Sequence, residues 1–118
     1  MSIATLYNRK KFVLSFELFP PKNWKGLATL FEHFKELAAC HPSFVTCTYG
    51  AGGSTRDNTL EVLGYIRGDY PEIPLAAHLT CLGASQDDLM QFVSKAIERG
   101  VAGIVALRGD PPRNGKIE

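Results

Sequence analysis

The sequence lacks an excess of charge of either sign: thirteen Lys and Arg stand against twelve Asp and Glu in 118 residues, a net of +1. That balance supplies no basic field for nucleic acid and no polybasic patch for a membrane. No apolar run approaches the roughly 20 residues that a membrane-spanning helix needs. The opening residues, MSIATLYNRKK, have neither the apolar core nor the small-residue cleavage site of a signal peptide. Cysteine is scarce: Cys40, Cys47 and Cys81 are an odd number without CxxC spacing. They read as reduced, partly buried thiols of a cytoplasmic protein, not as a disulfide frame or a zinc site. Linkers, charge blocks and low-complexity stretches are missing as well, and the length is that of one domain. What remains, 45% hydrophobic and 21% charged, is a globular composition.

Four apolar, β-branched or aromatic runs recur along the chain: 12–19 (FVLSFELF), 44–48 (FVTCT), 74–81 (PLAAHLTC) and 103–107 (GIVAL). Runs of this kind, bounded by turn residues, suit strands of a parallel sheet buried on both faces. Helical periodicity lies between them. Leu27, Leu30, Phe31, Phe34, Leu37 and Ala38 recur at steps of three and four, as do Leu89, Phe92, Val93, Ala96 and Ile97. A less regular middle helix carries Leu60, Leu63 and Ile66 on one side. Ser54 with Asp57 and Ser85 with Asp88 read as capping boxes, and Arg99-Gly100 as a helix stop. The expected order is β-α-β-α-β-α-β with a period of roughly 30 residues, the size of a βα unit.

Two parallel architectures fit such a repeat, a doubly wound open sheet and a (β/α)8 barrel. A dinucleotide-binding open sheet carries GxGxxG after its first strand, whereas here the first strand runs into Glu17-Leu-Phe-Pro-Pro21 without a glycine. Glu17, Thr48, His78 and Arg108 instead stand near strand C-termini about one repeat apart, at the end where barrel enzymes build their sites. The barrel is therefore favoured. A full one takes about 250 residues, so four strands and three helices amount to its first half.

Each polar position has a functional and a bland reading. Glu17, set among aromatic and aliphatic residues, is costly to bury unless protonated or paired. A desolvated carboxyl with a raised pKa would suit general-acid work, and the alternative is a salt bridge to Lys22 or Arg108. The loop Thr48-Tyr-Gly-Ala-Gly-Gly-Ser-Thr-Arg-Asp57 allows close backbone approach to an anion, or is an ordinary strand-to-helix turn. His78, alone in its strand, is a core histidine or a ligand contact, and it has no metal-spaced partner. Arg108 offers planar donors for phosphate or a ring carbonyl, and Asp110 offers a carboxylate at the same mouth, unless the two pair in a turn. Trp24 is expected to pack between helix and sheet, and His33 and His41 to face solvent.

Taken together, SFELFPPK, FVTCTYGAGGSTRD, AAHLTC and IVALRGDPP closely resemble, in order and spacing, the methylenetetrahydrofolate reductase family of flavin-dependent barrels. The likeness runs from about Phe12 to the last residue. It implies a (β/α)8 barrel holding FAD at the strand C-termini and reducing 5,10-methylenetetrahydrofolate to 5-methyltetrahydrofolate with NADH or NADPH. By the same resemblance Glu17 matches the general acid that opens the folate's five-membered ring. Thr48, Tyr49, Ala51, His78, Arg108 and Gly109 match flavin-site positions, and Asp110 matches a residue contacting both the pterin and the flavin. Residues 1–118 would then be the N-terminal half of the catalytic barrel, with strands five to eight and the contacts they bring lying outside it.

The expected function is thus the N-terminal part of a flavin-dependent folate reductase, a homo-oligomer or a chain that needs its missing half. Two rivals stand beside it: a non-catalytic half-barrel acting as an assembly or binding module, and a barrel enzyme of another kind taking a phosphate-bearing substrate at the glycine-rich loop.

Overall fold

A computed structural model of the chain describes residues 2–9, 12–48 and 56–109. Eight elements follow one another: α1 (Ile3–Arg9), β1 (Ser15–Leu18), α2 (Trp24–Ala38), β2 (Phe44–Cys47), α3 (Arg56–Asp69), β3 (Leu75–Thr80), α4 (Gln86–Glu98) and β4 (Gly103–Leu107). Every apolar run of the sequence forms a strand. The strands lie side by side in chain order, β1-β2-β3-β4, all parallel.

Sequential order decides between the two architectures. Crossovers between parallel strands are right-handed, so connections that always step in one direction lay their helices on one face. A doubly wound sheet reverses its order and covers both. Here a single core joins Leu18, Val45, Cys47, Leu75, Ala77 and Leu79 of the sheet to Phe34 of α2, Leu60, Leu63 and Ile66 of α3, and Phe92 and Ala96 of α4. The fold is α/β, with the strand and helix arrangement of the first half of a (β/α)8 barrel.

The strand register assigns the opposite face. Ser15 pairs with Phe44, Glu17 with Thr46, Thr46 with Ala76, and His78 with Val105. By alternation, Glu17, Thr46, His78, Thr80 and Val105 therefore share the side away from α2, α3 and α4, the inner face of the half-barrel. Val45 is one step out of phase with them and lies fully buried under the helices. The inner strands β2 and β3 are buried almost throughout, whereas β1 and β4 carry exposed residues along their length.

The helix ends follow their sequence signals where these are described. In α4 the Ser85 hydroxyl accepts from the Asp88 N–H while the Asp88 carboxylate accepts from the Ser85 N–H, a complete capping box. The helix gives way at Arg99-Gly100 as expected. Asn23 caps α2, its Oδ1 accepting from Gly26 N–H at 2.8 Å. The Ser54 box falls outside the described residues. Trp24 departs from expectation: it opens α2 beyond the end of β1, with no sheet beneath it, and is 73% exposed. Ile97, counted in the apolar stripe of α4, is likewise exposed. His33 and His41 face solvent.

The helix α1 has no counterpart in the expected order. It lies over the lower inner face, at the N-terminal ends of the strands. Its Tyr7 ring meets Phe44 edge-on at 6.1 Å, Leu6 is buried, and the Ile3 Cδ1 lies 3.1 Å from where a Cβ on Gly103 would stand. A glycine at the start of β4 is what leaves room for that helix.

Candidate active site

Glu17 is the third residue of β1 and its side chain stands on the inner face. Its apolar neighbours Phe16 and Leu18 point the other way by alternation, β1 is an outer strand, and nothing described lies above it. The carboxyl is accordingly 53% exposed, and its Oε1 lies 3.2 Å from Nε2 of His78. This corrects the expectation of a carboxyl enclosed among aromatics. The partner is neither Lys22 nor Arg108 but the histidine two strands away.

His78 is the buried member of the pair, with a side chain only 10% exposed. The same Nε2 lies 3.4 Å from the Thr46 hydroxyl, and Thr46 is itself buried and is Glu17's register partner. Three strands thus contribute one side chain each to a single polar contact on the inner face. Sequence reasoning passed over Thr46. The available signal was its phase: a polar residue two positions before Thr48 in the run FVTCT points the same way as Thr48.

Thr48 follows β2 and is partly buried. Its N–H donates to the Leu18 carbonyl at 2.9 Å, and its own carbonyl accepts from the fully buried Thr59 hydroxyl at 2.7 Å. The Asn58 side-chain amide donates to the Pro21 carbonyl at 3.4 Å. The first residues of α3 are thereby tied to the ends of β1 and β2, which fixes both flanks of the glycine-rich loop. Tyr49, Ala51 and Asp110 lie outside the described residues.

Arg108 and Gly109 follow β4 at the same end of the sheet. The Arg108 carbonyl accepts from Leu82 N–H at 2.8 Å, and the Leu107 carbonyl accepts from Cys81 N–H at 3.0 Å, so the β3 and β4 ends extend in step. The Arg108 side chain is exposed and one residue out of phase with the inner face. Gly109 has φ +92°, and a Cβ there would come within 2.9 Å of the Thr80 Cβ. Both terms act against any side chain. Gly109→Ala should cost about 1–3 kcal/mol, the range for a residue held in a forbidden backbone region, read as a lowered urea midpoint. A midpoint unchanged from wild type would show that this turn relaxes freely.

Cys47 lies behind this wall, in the core. Burial, with a smaller contribution from the Glu17 charge, pushes its thiol up to about 12, while Cys40 and Cys81 are exposed. Since the thiolate is the reactive form, iodoacetamide should modify Cys40 and Cys81 in the native chain and spare Cys47 until denaturant is added. Prompt modification of all three would show the core to be open. The sign of the linked stability follows. The unfolded thiol ionises from 9.0 and the folded one near 12, so stability is full below pH 9.0 and is lost as pH rises toward 12.

Among the described residues no cluster of three His, Cys, Asp or Glu is placed to hold a metal ion. No described helix is long and apolar enough to cross a membrane. A cleft of about 140 Å³ between the first turns of α2 and α3, lined by Lys22, Trp24, Asn58 and Glu61 among others, lies outside the sheet and away from the Glu17–His78 contact.

The geometry can now be set beside known proteins. The family model described as methylenetetrahydrofolate reductase matches residues 2–118. The chain belongs to the methylenetetrahydrofolate reductase family. The 5,10-methylenetetrahydrofolate reductase of Escherichia coli (strain K12) is 40% identical over 89% of the chain, which spans 36% of that protein. The enzyme of Pectobacterium carotovorum subsp. carotovorum is 38% identical over 97% of the chain, again covering 37% of its length. A plant relative, the probable methylenetetrahydrofolate reductase (NADH) of Oryza sativa subsp. japonica, is 39% identical over 85% of the chain and is covered over 17% of its own length. A solved structure from Aquifex aeolicus VF5 shares the fold, with a TM-score of 0.67 at 15% identity, and the match takes in 94% of this chain and 50% of that one. The chain thus spans little more than a third of the length of these two bacterial relatives.

Proposed function

We propose that the chain carries the N-terminal part of the active site of a flavin-dependent reductase, which converts 5,10-methylenetetrahydrofolate to 5-methyltetrahydrofolate at the expense of NADH or NADPH. The observation that carries this reading is the Glu17–His78 contact, on the inner face near the C-terminal strand ends, in a chain of this family.

The donor set suits a flavin. Hydroxyls of Thr48 and Thr80, the His78 imidazole and the Arg108 guanidinium line the same end of the sheet, matching the alternating donors and acceptors of an isoalloxazine edge and the charge of a phosphate. The Tyr49, Ala51 and Asp110 positions would complete it. Bound there, FAD supplies two-electron transfer from nicotinamide to the folate carbon. The work of this chain's own residues is then protonation and placement. Half exposed on the open face, Glu17 is able to reach the folate nitrogen and give up its proton as the five-membered ring opens to the iminium. The NADH in the name of the rice relative favours a nicotinamide donor.

The open strands favour one further statement. β1 pairs with β2 and β4 with β3, while Ile104 and Leu107 remain exposed on β4. Among the described residues β1 and β4 are edge strands, and edge strands are available for pairing. We propose that further strands complete the barrel, from additional chain or from a second copy, and that residues 1–118 are the N-terminal half of the catalytic domain. The test is flavin titration and sedimentation of the purified 118-residue chain beside a chain extended to the length of the bacterial relatives. The extended protein should be yellow, release FAD on denaturation and oxidise NAD(P)H, while the short chain self-associates and binds FAD weakly. A colourless extended protein would favour a non-catalytic assembly module.

A further inference from the structure

We propose that His78 is the positioning residue of Glu17, and that the two share one proton across the Oε1–Nε2 contact, so that the acid of the site is the pair and not the carboxyl alone. This rests on Glu17 being the proton donor, as proposed above.

The argument begins with the strands. β3 is hydrogen-bonded on both sides, by β2 and by β4, and His78 sits in it almost wholly enclosed. Glu17 is on β1, paired along one edge only among the described strands. A free glutamate side chain has rotamer entropy to lose on being fixed. Its contact with a ring held on a central strand limits that freedom at the end that must meet the substrate. The buried partner is therefore the fixed one and the exposed partner the working one.

The hydrogen-bond inventory then constrains the protons. An ionised carboxylate only accepts, so with Glu17 ionised the Nε2 must carry hydrogen, and the Thr46 hydroxyl oxygen, 3.4 Å from the same nitrogen, takes the acceptor role. With Glu17 protonated, its O–H donates to a bare Nε2 and the imidazole proton resides on Nδ1. The 3.2 Å contact is satisfied in both forms, and they differ by the movement of one proton from Oε1 to Nε2. When Glu17 gives its proton to the folate nitrogen, that N–H bond forms as the Oε1–H bond breaks, and the pair regains a proton from water through either member. Among the described residues, the groups facing this contact are the Thr46 hydroxyl and, behind the wall, the Cys47 thiol from β2. From β4 comes the apolar Val105, with the Arg108 side chain exposed beyond the strand end. The α1 helix contributes Tyr7 and Arg9 at the opposite end of the sheet.

The test is a double-mutant cycle on the folate half-reaction of the flavin-loaded, extended enzyme, run across about pH 5–8 where an imidazole titrates. His78→Gln, which keeps a donor but cannot exchange a proton, and His78→Ala should both slow the step, by up to about 10²-fold for a misplaced group, and both should move the midpoint of its pH profile. The Glu17→Gln/His78→Gln double variant should be no slower than Glu17→Gln alone. In the chain itself, the nitrogen NMR signal of His78 Nε2 should move on Glu17→Gln, which removes the proton the contact shares. Additive losses with an unmoved pH midpoint and an unmoved Nε2 signal would overturn the proposal. A Glu17→Gln enzyme that retains the folate step would instead remove the acid assignment, and the shared-proton role with it.

Discussion

Glu17→Gln in the flavin-loaded, extended enzyme should slow the folate half-reaction by about 10²–10⁴, the usual worth of a positioned general acid, with the loss confined to that half. The two halves differ in what they ask of the protein. Hydride transfer from nicotinamide to flavin needs no proton donor, whereas opening the folate ring does. Gln keeps the size of the side chain and a donor toward solvent, but it has no acidic proton to give. Stopped-flow recording of each half-reaction separates the cases. Equal losses in both would mean that the residue holds the β1 end in shape and does no acid chemistry.

Phe34→Ala should be the most damaging change in the core. Phe34 is almost entirely enclosed where α2 meets the sheet, and its ring meets Tyr70 edge-on at 5.2 Å. Truncating a buried Phe to Ala costs about 3–5 kcal/mol, against a total of roughly 5–15 kcal/mol for a typical domain. Urea unfolding followed by far-UV circular dichroism should show a lower midpoint for Phe34→Ala, with Phe34→Leu between it and wild type. A shift under 1 kcal/mol, small beside the cavity cost, would mean that α2 is not sealed onto the strands.

The strands were legible because those of a parallel sheet are apolar on both sides, and such runs stand out whatever their register. Two of the helices were legible for the opposite reason, a stripe on one side only, and the third from a looser apolar side. Register itself was not legible. Whether Val45 faces the helices or the lumen depends on phase within a run whose members are all apolar, and only the pairing of Val45 with Phe16 and Leu75 settles it. The same gap explains Glu17. Its sequence neighbours are apolar, which reads as an enclosed carboxyl, yet alternation sends those neighbours behind the sheet and leaves Glu17 on the open side. Its contact with His78 spans two strand spacings and depends on a register that composition does not encode. The family resemblance placed both residues in the site, and nothing in it required that they touch.

The seat of α1 bears on the order in which the molecule assembles. Ile3 precedes every described strand in the chain, yet its resting place is the start of β4, almost the whole described chain later. A short helix with one buried side chain has little to hold it before that surface exists. It must wait while β1 to β4 add one after another, each closing a local βα loop, and it docks only when the last strand has joined. Each strand pairing closes a loop of roughly 30 residues, and the contact of Ile3 with the start of β4 closes one more than three times as long. The slowest native contact is then made by residues that precede all four described strands, and until they settle, the lower end of the inner face stays wet.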